Sequence, residues 1–408
     1  MSSSGIEGNN DSHPADVSGD DGRFIVFAST AANLTSPTPP AGSSQIYLRD
    51  RVAGTTQLIS RGTDGKPAQG SSGSPSISAD GSVIAFVSSS SSLVRGDTNG
   101  KDDIFIYTPG SQSIQRILTN AFAQPNGHSS SPEVSGDGRM IAYATGASNH
   151  TPDVNGTSDI FVYDRVQAVN KLVSRQPNGA VGNSGSTEPT INSDGTKIAF
   201  RSDASNLANN DTNGQPDVFL TTFTTPSTAA VTRVSVKVGG GEANGLSGDP
   251  AISANGNFVA FASQATNLVT GDTNNKVDVF RKDVVSGAVV RHSVGLNGVQ
   301  GNGPSFEPSI SADGSKIVFT SHATNLVGDD ENAGIGDVFL SETSRSFIVG
   351  RVLVSRANTQ GSANGQSFGG SMNADGSVIS FTSRASNLVA GQSSDSGALD
   401  VFTRTRNN

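Results

Sequence analysis

The sequence predicts an all-β fold, a seven-bladed β-propeller of four-stranded antiparallel blades, and three observations carry that prediction. One segment type, S-x-D-G-x-x-I-A-F-x-S-x-A-x-N-L-V, recurs from end to end. Its Gly marker falls at Gly22, Gly81, Gly138, Gly195, Gly256, Gly314 and Gly376, 57 to 62 residues apart. The composition suits many short strands and turns: of 408 residues, 48 are Gly and 17 Pro, while charged residues make up 15 % and aromatic ones 6 %. Third, the last copy stops after its third strand, Asp400-Val401-Phe402, whereas the chain opens on Met1-Ser2-Ser3-Ser4-Gly5. That opening resembles the fourth-strand exits Ile59-Ser60-Arg61-Gly62 and Val354-Ser355-Arg356. An N-terminal strand that completes the last blade would close the ring non-covalently. A solenoid of stacked hairpins would repeat in the same way but would not need complementary ends. Seven copies leave no linker, so residues 1–408 read as a single domain.

Within a unit, the first strand starts after a Pro, as in Pro75-Ser76-Ile77-Ser78 and Pro308-Ser309-Ile310-Ser311. An Asp-Gly or Asn-Gly turn follows, the strongest short-range hairpin signal. The second strand is Val83 to Ser88 in unit two, with copies at Ile198 to Ser202 and Ile317 to Ser321. After a long loop comes the third, Ile104-Phe105-Ile106-Tyr107, echoed by Val218-Phe219-Leu220 and Val279-Phe280-Arg281. The fourth has copies at Lys171-Leu172-Val173-Ser174 and Arg233-Val234-Ser235. Alternation is imperfect, as expected of strands buried on both faces.

S-x-D-G-x-x-I-A-F-x-S followed by D-[IV]-F and then R-V-S resembles the repeat of TolB-type, WD-like β-propellers. The resemblance covers all seven units. It implies the propeller fold and leaves function open, because members of this group resemble periplasmic TolB, the propeller caps of prolyl-oligopeptidase-type hydrolases, and some pectin-fragment lyases. This chain departs from the family pattern by inserting A-[ST]-N-L-V-x-G-D-T-N-G between its second and third strands.

Four copies of that insertion fit D-x-N-[GN]-x-x-D: Asp97/Asn99/Asp103, Asp153/Asn155/Asp159, Asp211/Asn213/Asp217 and Asp272/Asn274/Asp278. Side-chain oxygens at positions one, three and seven of a tight loop are what calcium takes as ligands. The terminal bidentate Glu of an EF-type loop is missing, so the affinity expected is weak, of the order of 10⁻⁴–10⁻³ M as in extracellular modules. The same residue types are ordinary turn formers, because Asp and Asn accept local backbone hydrogen bonds. Both readings stand at this point. Units one, six and seven are degenerate: Ser36-Pro37-Thr38-Pro39-Pro40 with Gln45, then Asp329, Asp330, Glu331, Asn332 and Asp337, then Asp395 and Asp400.

Several function classes are disfavoured. With no Cys there are no disulfides, thiolate metal sites or Cys nucleophile. A net charge of −9 argues against a nucleic-acid groove. No apolar run approaches the ~18 residues of a membrane span, so no membrane insertion is expected. The opening MSSSGIEGNN lacks both halves of a signal peptide. The reading is of a secreted, periplasmic or cell-surface chain whose signal is missing.

Of the five His, only His13 and His128 occupy nearly equivalent places, and no G-x-S-x-G elbow is present in a strand-to-helix setting. Asp249 and Glu307 could approach as a carboxylate pair or form a solvated acidic rim. Gly239-Gly240-Gly241 lacks the Lys-Ser/Thr of a phosphate loop. Arg61, Arg175 and Arg356 repeat at fourth-strand ends and read as blade-to-blade struts.

The second-to-third loop and the inter-blade loop, with its N-G-x-S-x-x-P signature, are both elaborated and would share one face. The expectation is therefore a monomeric, non-catalytic binding or scaffold propeller, with calcium in several loops and a protein or glycan partner on the loop-rich face. A metal-free structural propeller and a carbohydrate-active lyase or hydrolase using the axial pocket are the alternatives.

Overall fold

The computed structural model describes the chain except residues 151–154, 225–228, 296–297, 329, 331, 333, 345–346, 359–360, 391–396 and 407–408. Its strands fall into seven antiparallel sheets in chain order, six of four strands and a last one of three. Blade one shows the plan: β1 (Ser12–Val17), β2 (Phe24–Ser29), β3 (Gln45–Asp50) and β4 (Thr55–Leu58). Blade seven holds Ser367–Met372, Val378–Ser383 and Asp400–Thr405. First strands of successive blades touch all the way round, and that of blade seven touches β1, so the ring closes about an axis lined by first strands.

The I-A-F and D-[IV]-F motifs explain the core. They place one aromatic pair in each blade, from Phe27–Tyr47 through Phe86–Phe105 to Phe381–Phe402, with ring centroids 5.6 to 6.3 Å apart and the rings stacked. The apolar clusters lie between blades. One joins Val26, Ala28 and Ile46 of blade one to Ile77, Ile84 and Phe86 of blade two. Blades therefore bury both faces, which is why the strands read as apolar runs.

The tight turns are where glycine is required. Gly81 has φ +74°, and a Cβ there would lie 2.5 Å from the Phe24 ring of the preceding blade. Gly22 plays the same part at the ring closure, where a Cβ would meet Val378 at 2.7 Å.

Two expectations are refined. The first strands begin three residues earlier than the Pro, as in Ser72–Ile77, and the Pro sits at a β-bulge inside the strand. The innermost strand has a free edge facing the channel, so the missing N–H of Pro costs the sheet nothing there. The N-terminus forms no strand beside Asp400–Thr405 among the described residues. Residues 1–11 instead take the place of an inter-blade loop. Ser12 N donates to Leu399 O at 2.7 Å, Leu399 N to Asp11 Oδ1 at 2.8 Å, and Asn9 N to Asn33 Oδ1 at 3.0 Å. Among the described residues no helix is long and apolar enough to cross a membrane.

Candidate functional site: the inserted loops and the axial wall

The inserted loop is clamped to the inter-blade loop by a reciprocal pair of asparagines. Asn302 N donates to Asn325 Oδ1 (3.0 Å), Thr324 N returns to Asn302 Oδ1 (2.8 Å), and Asn302 Nδ2 reaches Thr324 Oγ1 (2.8 Å). The same set recurs at Asn183/Asn206, Asn244/Asn267 and Asn364/Asn387, and at Asn126/Asn149 with Asn149 N, at 3.3 Å, as the returning donor. The two elaborated loops are therefore one unit on one face. The [ST]-N and N-G motifs are the two halves of that clamp.

Inside the clamp lie the Asp loops. In blade two, Arg116 holds both carboxylates, Asp97 at 2.7 Å and Asp103 at 3.2 Å. Asn99 turns its amide nitrogen to Asp103 (2.9 Å) and to Pro125 O (3.1 Å), while its oxygen accepts Lys101 N (3.0 Å). Gln124 Oε1, from the inter-blade loop, accepts the N–H groups of Thr98 and Asn99 and also Arg116. Blade five repeats this with Arg291, Asp272 (3.0 Å), Asp278 (3.3 Å), Asn274 and Gln300. Blade four uses Arg233, Asp211 (3.3 Å), Asp217 (3.1 Å), Asn213 and Glu242. Burial pushes the carboxyls of Asp103, Asp211, Asp217, Asp272 and Asp278 up, and the neighbouring arginine opposes it.

These three loops do not suit calcium. Their carboxylates face a guanidinium, their Asn presents N–H where a ligand oxygen would be needed, and a cation among them would adjoin a buried positive charge. No group of three His, Cys, Asp or Glu side chains able to hold a metal occurs among the described residues.

Blade three differs. Asp153 lies outside the described residues. Asn155 donates to Gly182 O (2.9 Å), and Asp159 accepts Ser174 Oγ (2.7 Å). The strand position that carries Arg116, Arg233 and Arg291 is Leu172 here and Leu353 in blade six. In blade six Asp337 accepts Ser355 Oγ (2.6 Å) and Asn332 Nδ2 (2.7 Å), and burial raises its carboxyl to about 6. Arg61, Arg175 and Arg356 do sit at blade junctions, each bridging by backbone across its inter-blade loop to Pro67, Val181 and Ser362.

The second cluster lies on the axis, and the sequence reading found only part of it. At the bulge of the first strand, Ser74, Ser131, Glu188, Asp249 and Glu307 all take positive φ, between 46° and 55°. Three of these acids form a relay in which each carboxylate accepts the next blade's bulge N–H. Glu188 takes Asp249 N (2.9 Å), Asp249 takes Glu307 N (3.2 Å), and Glu307 takes Gly369 N (3.1 Å). Asp249 and Glu307 thus meet through backbone, not as a carboxyl pair. Two residues further along the first strands, Asp16 and Glu133 line the wall on the opposite arc. The acid next to Pro in E-P-T-I, D-P-A-I, E-P-S-I and S-P-E-V was the available signal. His13 and His128 do not converge with a third His; His128 Nδ1 lies 2.9 Å from Asp102.

Comparison with known proteins follows from this geometry. No family model matches the chain, and no curated protein matches it in sequence. Solved structures do. A prolyl endopeptidase, from a study of inter-domain dynamics in two such enzymes, matches with TM-score 0.56 at 10 % identity, over 98 % of this chain and 50 % of that one. An acylaminoacyl peptidase of Pyrococcus horikoshii matches with TM-score 0.54 at 13 % identity, over 98 % and 52 %. TolB from Acinetobacter baumannii matches with TM-score 0.45 at 18 % identity, over 84 % and 66 %. The fold is the seven-bladed propeller. That is the architecture the TolB-type repeat implied, and the likeness is one of fold. The chain spans about half the length of the two peptidase chains.

Proposed function

We propose that this propeller is a non-catalytic binding or scaffold module that works outside the cytosol and presents its clamped, loop-rich face to a protein or glycan. In this reading the loops are held by arginine and asparagine rather than by calcium. One observation carries it: in blades two, four and five the loop carboxylates pair with an arginine, and each carboxylate of the Glu188–Asp249–Glu307 relay accepts the next blade's N–H, so that these groups hold neighbouring segments of the ring in place. A rigid face built in this way suits recognition. A lyase or hydrolase built on an Asp249–Glu307 carboxyl pair is disfavoured, because the two residues meet through a backbone N–H rather than carboxyl to carboxyl.

Thermal unfolding in about 5 mM calcium, in chelator and in magnesium tests the metal-free part, since each site with a dissociation constant of about 0.5 mM would add about 1.4 kcal/mol of stability and so raise the midpoint. The midpoint is expected to be the same in all three. A calcium-specific rise that Asp97→Ala or Asp272→Ala diminishes would overturn the arginine-held reading. The binding part is tested on glycan and peptide arrays, where binding should be lost when Asn302 and Asn244 are replaced together by bulkier polar residues. Signal that survives those changes would place recognition elsewhere.

A further inference from the structure

The ring is closed without a covalent bond between blades seven and one, and the inner wall beside that seam carries two acids that the clamp and relay do not use. Asp16, on β1, spans the seam. Its Oδ1 accepts Ser371 Oγ of blade seven at 2.8 Å and its own Val17 N at 2.8 Å, and its Oδ2 accepts Ile77 N of blade two at 3.1 Å. Glu133, on the first strand of blade three, has one hydrogen-bond partner among the described residues, Ser76 Oγ of blade two, at 3.4 Å. Ser76 accepts Val134 N at 3.1 Å, so its one proton is left for a carboxylate, and it also bears on Asp16. Two acids on blades one and three therefore flank one hydroxyl on blade two.

The donor supply is uneven. Burial raises the Asp16 carboxyl, but three donors, two of them backbone N–H groups, oppose the rise, so of the two acids Asp16 is the better placed to hold a negative charge. Glu133 has one long contact, and among the described residues no Lys, Arg or His hydrogen-bonds or ion-pairs with either acid. The first strand of blade two supplies no titratable group here. Blade four's Glu188 sits one bulge step away with its carboxylate on Asp249 N, Asp249 and Glu307 continue that relay on the far arc, and His13 of β1 is exposed. Ionising Glu133 would set a second negative charge beside Asp16 across a hydroxyl that can serve only one of them.

We propose that Asp16 and Glu133 carry one proton between them, on Glu133, and that this proton is a latch holding blades seven, one, two and three together at the ring's seam. The carboxyl titrates in step: burial first and the Asp16 charge second push Glu133 up to about 8. An acid whose folded pKa is raised binds more protons folded than unfolded. The latch thus stabilises fully at low pH and weakens as pH rises from the ordinary glutamate range, 4.5, through about 8. Asp16 and Glu133 are only partly buried as residues, so the latch responds to the pH of the medium.

Two measurements decide it. Infrared difference spectra of the intact parent protein near pH 7 should show a protonated carboxyl that is absent from Glu133→Gln. Finding none in the parent overturns the proposal, and this arm does not depend on how the variant folds. In thermal unfolding, Glu133→Gln should match the parent near pH 5 and exceed it by several degrees near pH 8.5. An offset that does not change with pH overturns the proposal. Asp16→Asn should move the loss of the infrared band to lower pH, and a band that stays put shows the two acids to be uncoupled.

Discussion

Replacing His150 by Leu should stabilise the protein, and increasingly so in acid. Six of the seven units carry a buried Leu at this position: Leu34, Leu93, Leu207, Leu268, Leu326 and Leu388. In blade three it is His150, 1 % exposed, packed against Phe161 at 4.9 Å and edge-on to Tyr143, with neither ring nitrogen hydrogen-bonded to a described residue. A buried polar group without a partner costs about 1–3 kcal/mol, and leucine at this site removes that cost while filling the same space. Burial also lowers the imidazole to about 4 from an ordinary 6.5. The folded state then binds fewer protons than the unfolded one between those values, so parent stability is lost as pH falls through that window. The full loss, at about 1.36 kcal/mol per pH unit, comes to about 3.4 kcal/mol. Denaturant unfolding of parent and His150→Leu at pH 7 and near pH 4.5 reads both effects. The variant should lead by about 1–3 kcal/mol at neutrality and by about 2–3 kcal/mol more in acid. His292, also fully buried and lowered by burial, is present in both proteins and drops out of the difference. A variant weaker than the parent at pH 7, or one with the same acid slope, refutes the reasoning.

Two further outcomes follow from the loops. Arg291→Leu leaves Asp272 and Asp278 buried beside no cation and should cost about 3–5 kcal/mol at neutral pH, with the deficit shrinking in acid as the carboxyls protonate; denaturant midpoints across pH check it. Asn302→Ala removes two side-chain hydrogen bonds with Thr324 and should cost about 1–2 kcal/mol. Hydrogen exchange should show the loss of protection confined to the inserted loop after the second strand and to the inter-blade loop before the first.

The fold was legible because the repeat writes the same physical requirement seven times. Asp-Gly turns, one aromatic in each of two strands and a Ser at each strand end are local signals, and the near-constant spacing made them a ring. The loops were half legible. D-x-N-[GN]-x-x-D correctly marked the residues that come together, Asp97, Asn99 and Asp103 among them. Their counter-charge, Arg116, lies thirteen residues beyond Asp103 on a different strand, and no local pattern joins the two. Comparing units would have exposed it. Units two, four and five carry Arg with Gln or Glu in the following loop (Gln124, Glu242, Gln300), whereas unit three has Leu172 with Val181 and unit six Leu353 with Ser362. The axial acids were legible only in part, because whether Glu307 meets another carboxyl or a backbone N–H depends on a bulge at positive φ, which the adjoining Pro308 hints at but does not specify.

The positions that differ between blades divide into two kinds, and the division bears on where a partner would dock. The asparagine clamp and the aromatic pair hardly change around the ring, since each blade needs them to meet the next. The arginine–aspartate lock comes and goes by blade, and the axial wall runs from Asp16, Ser76 and Glu133 through Thr190 and Ala251 to Ser309 and Ser371. A ring whose joints are uniform can vary the side chains at its mouth without losing closure. Its acidic relay faces one arc, blades four to seven, and the proton-sharing pair the other, so the channel mouth is chemically lopsided. A ligand that reads this face would meet a relay of three carboxyl groups on one side and, on the other, a pair that carries one charge and one proton, and its orientation on the ring would follow from that asymmetry.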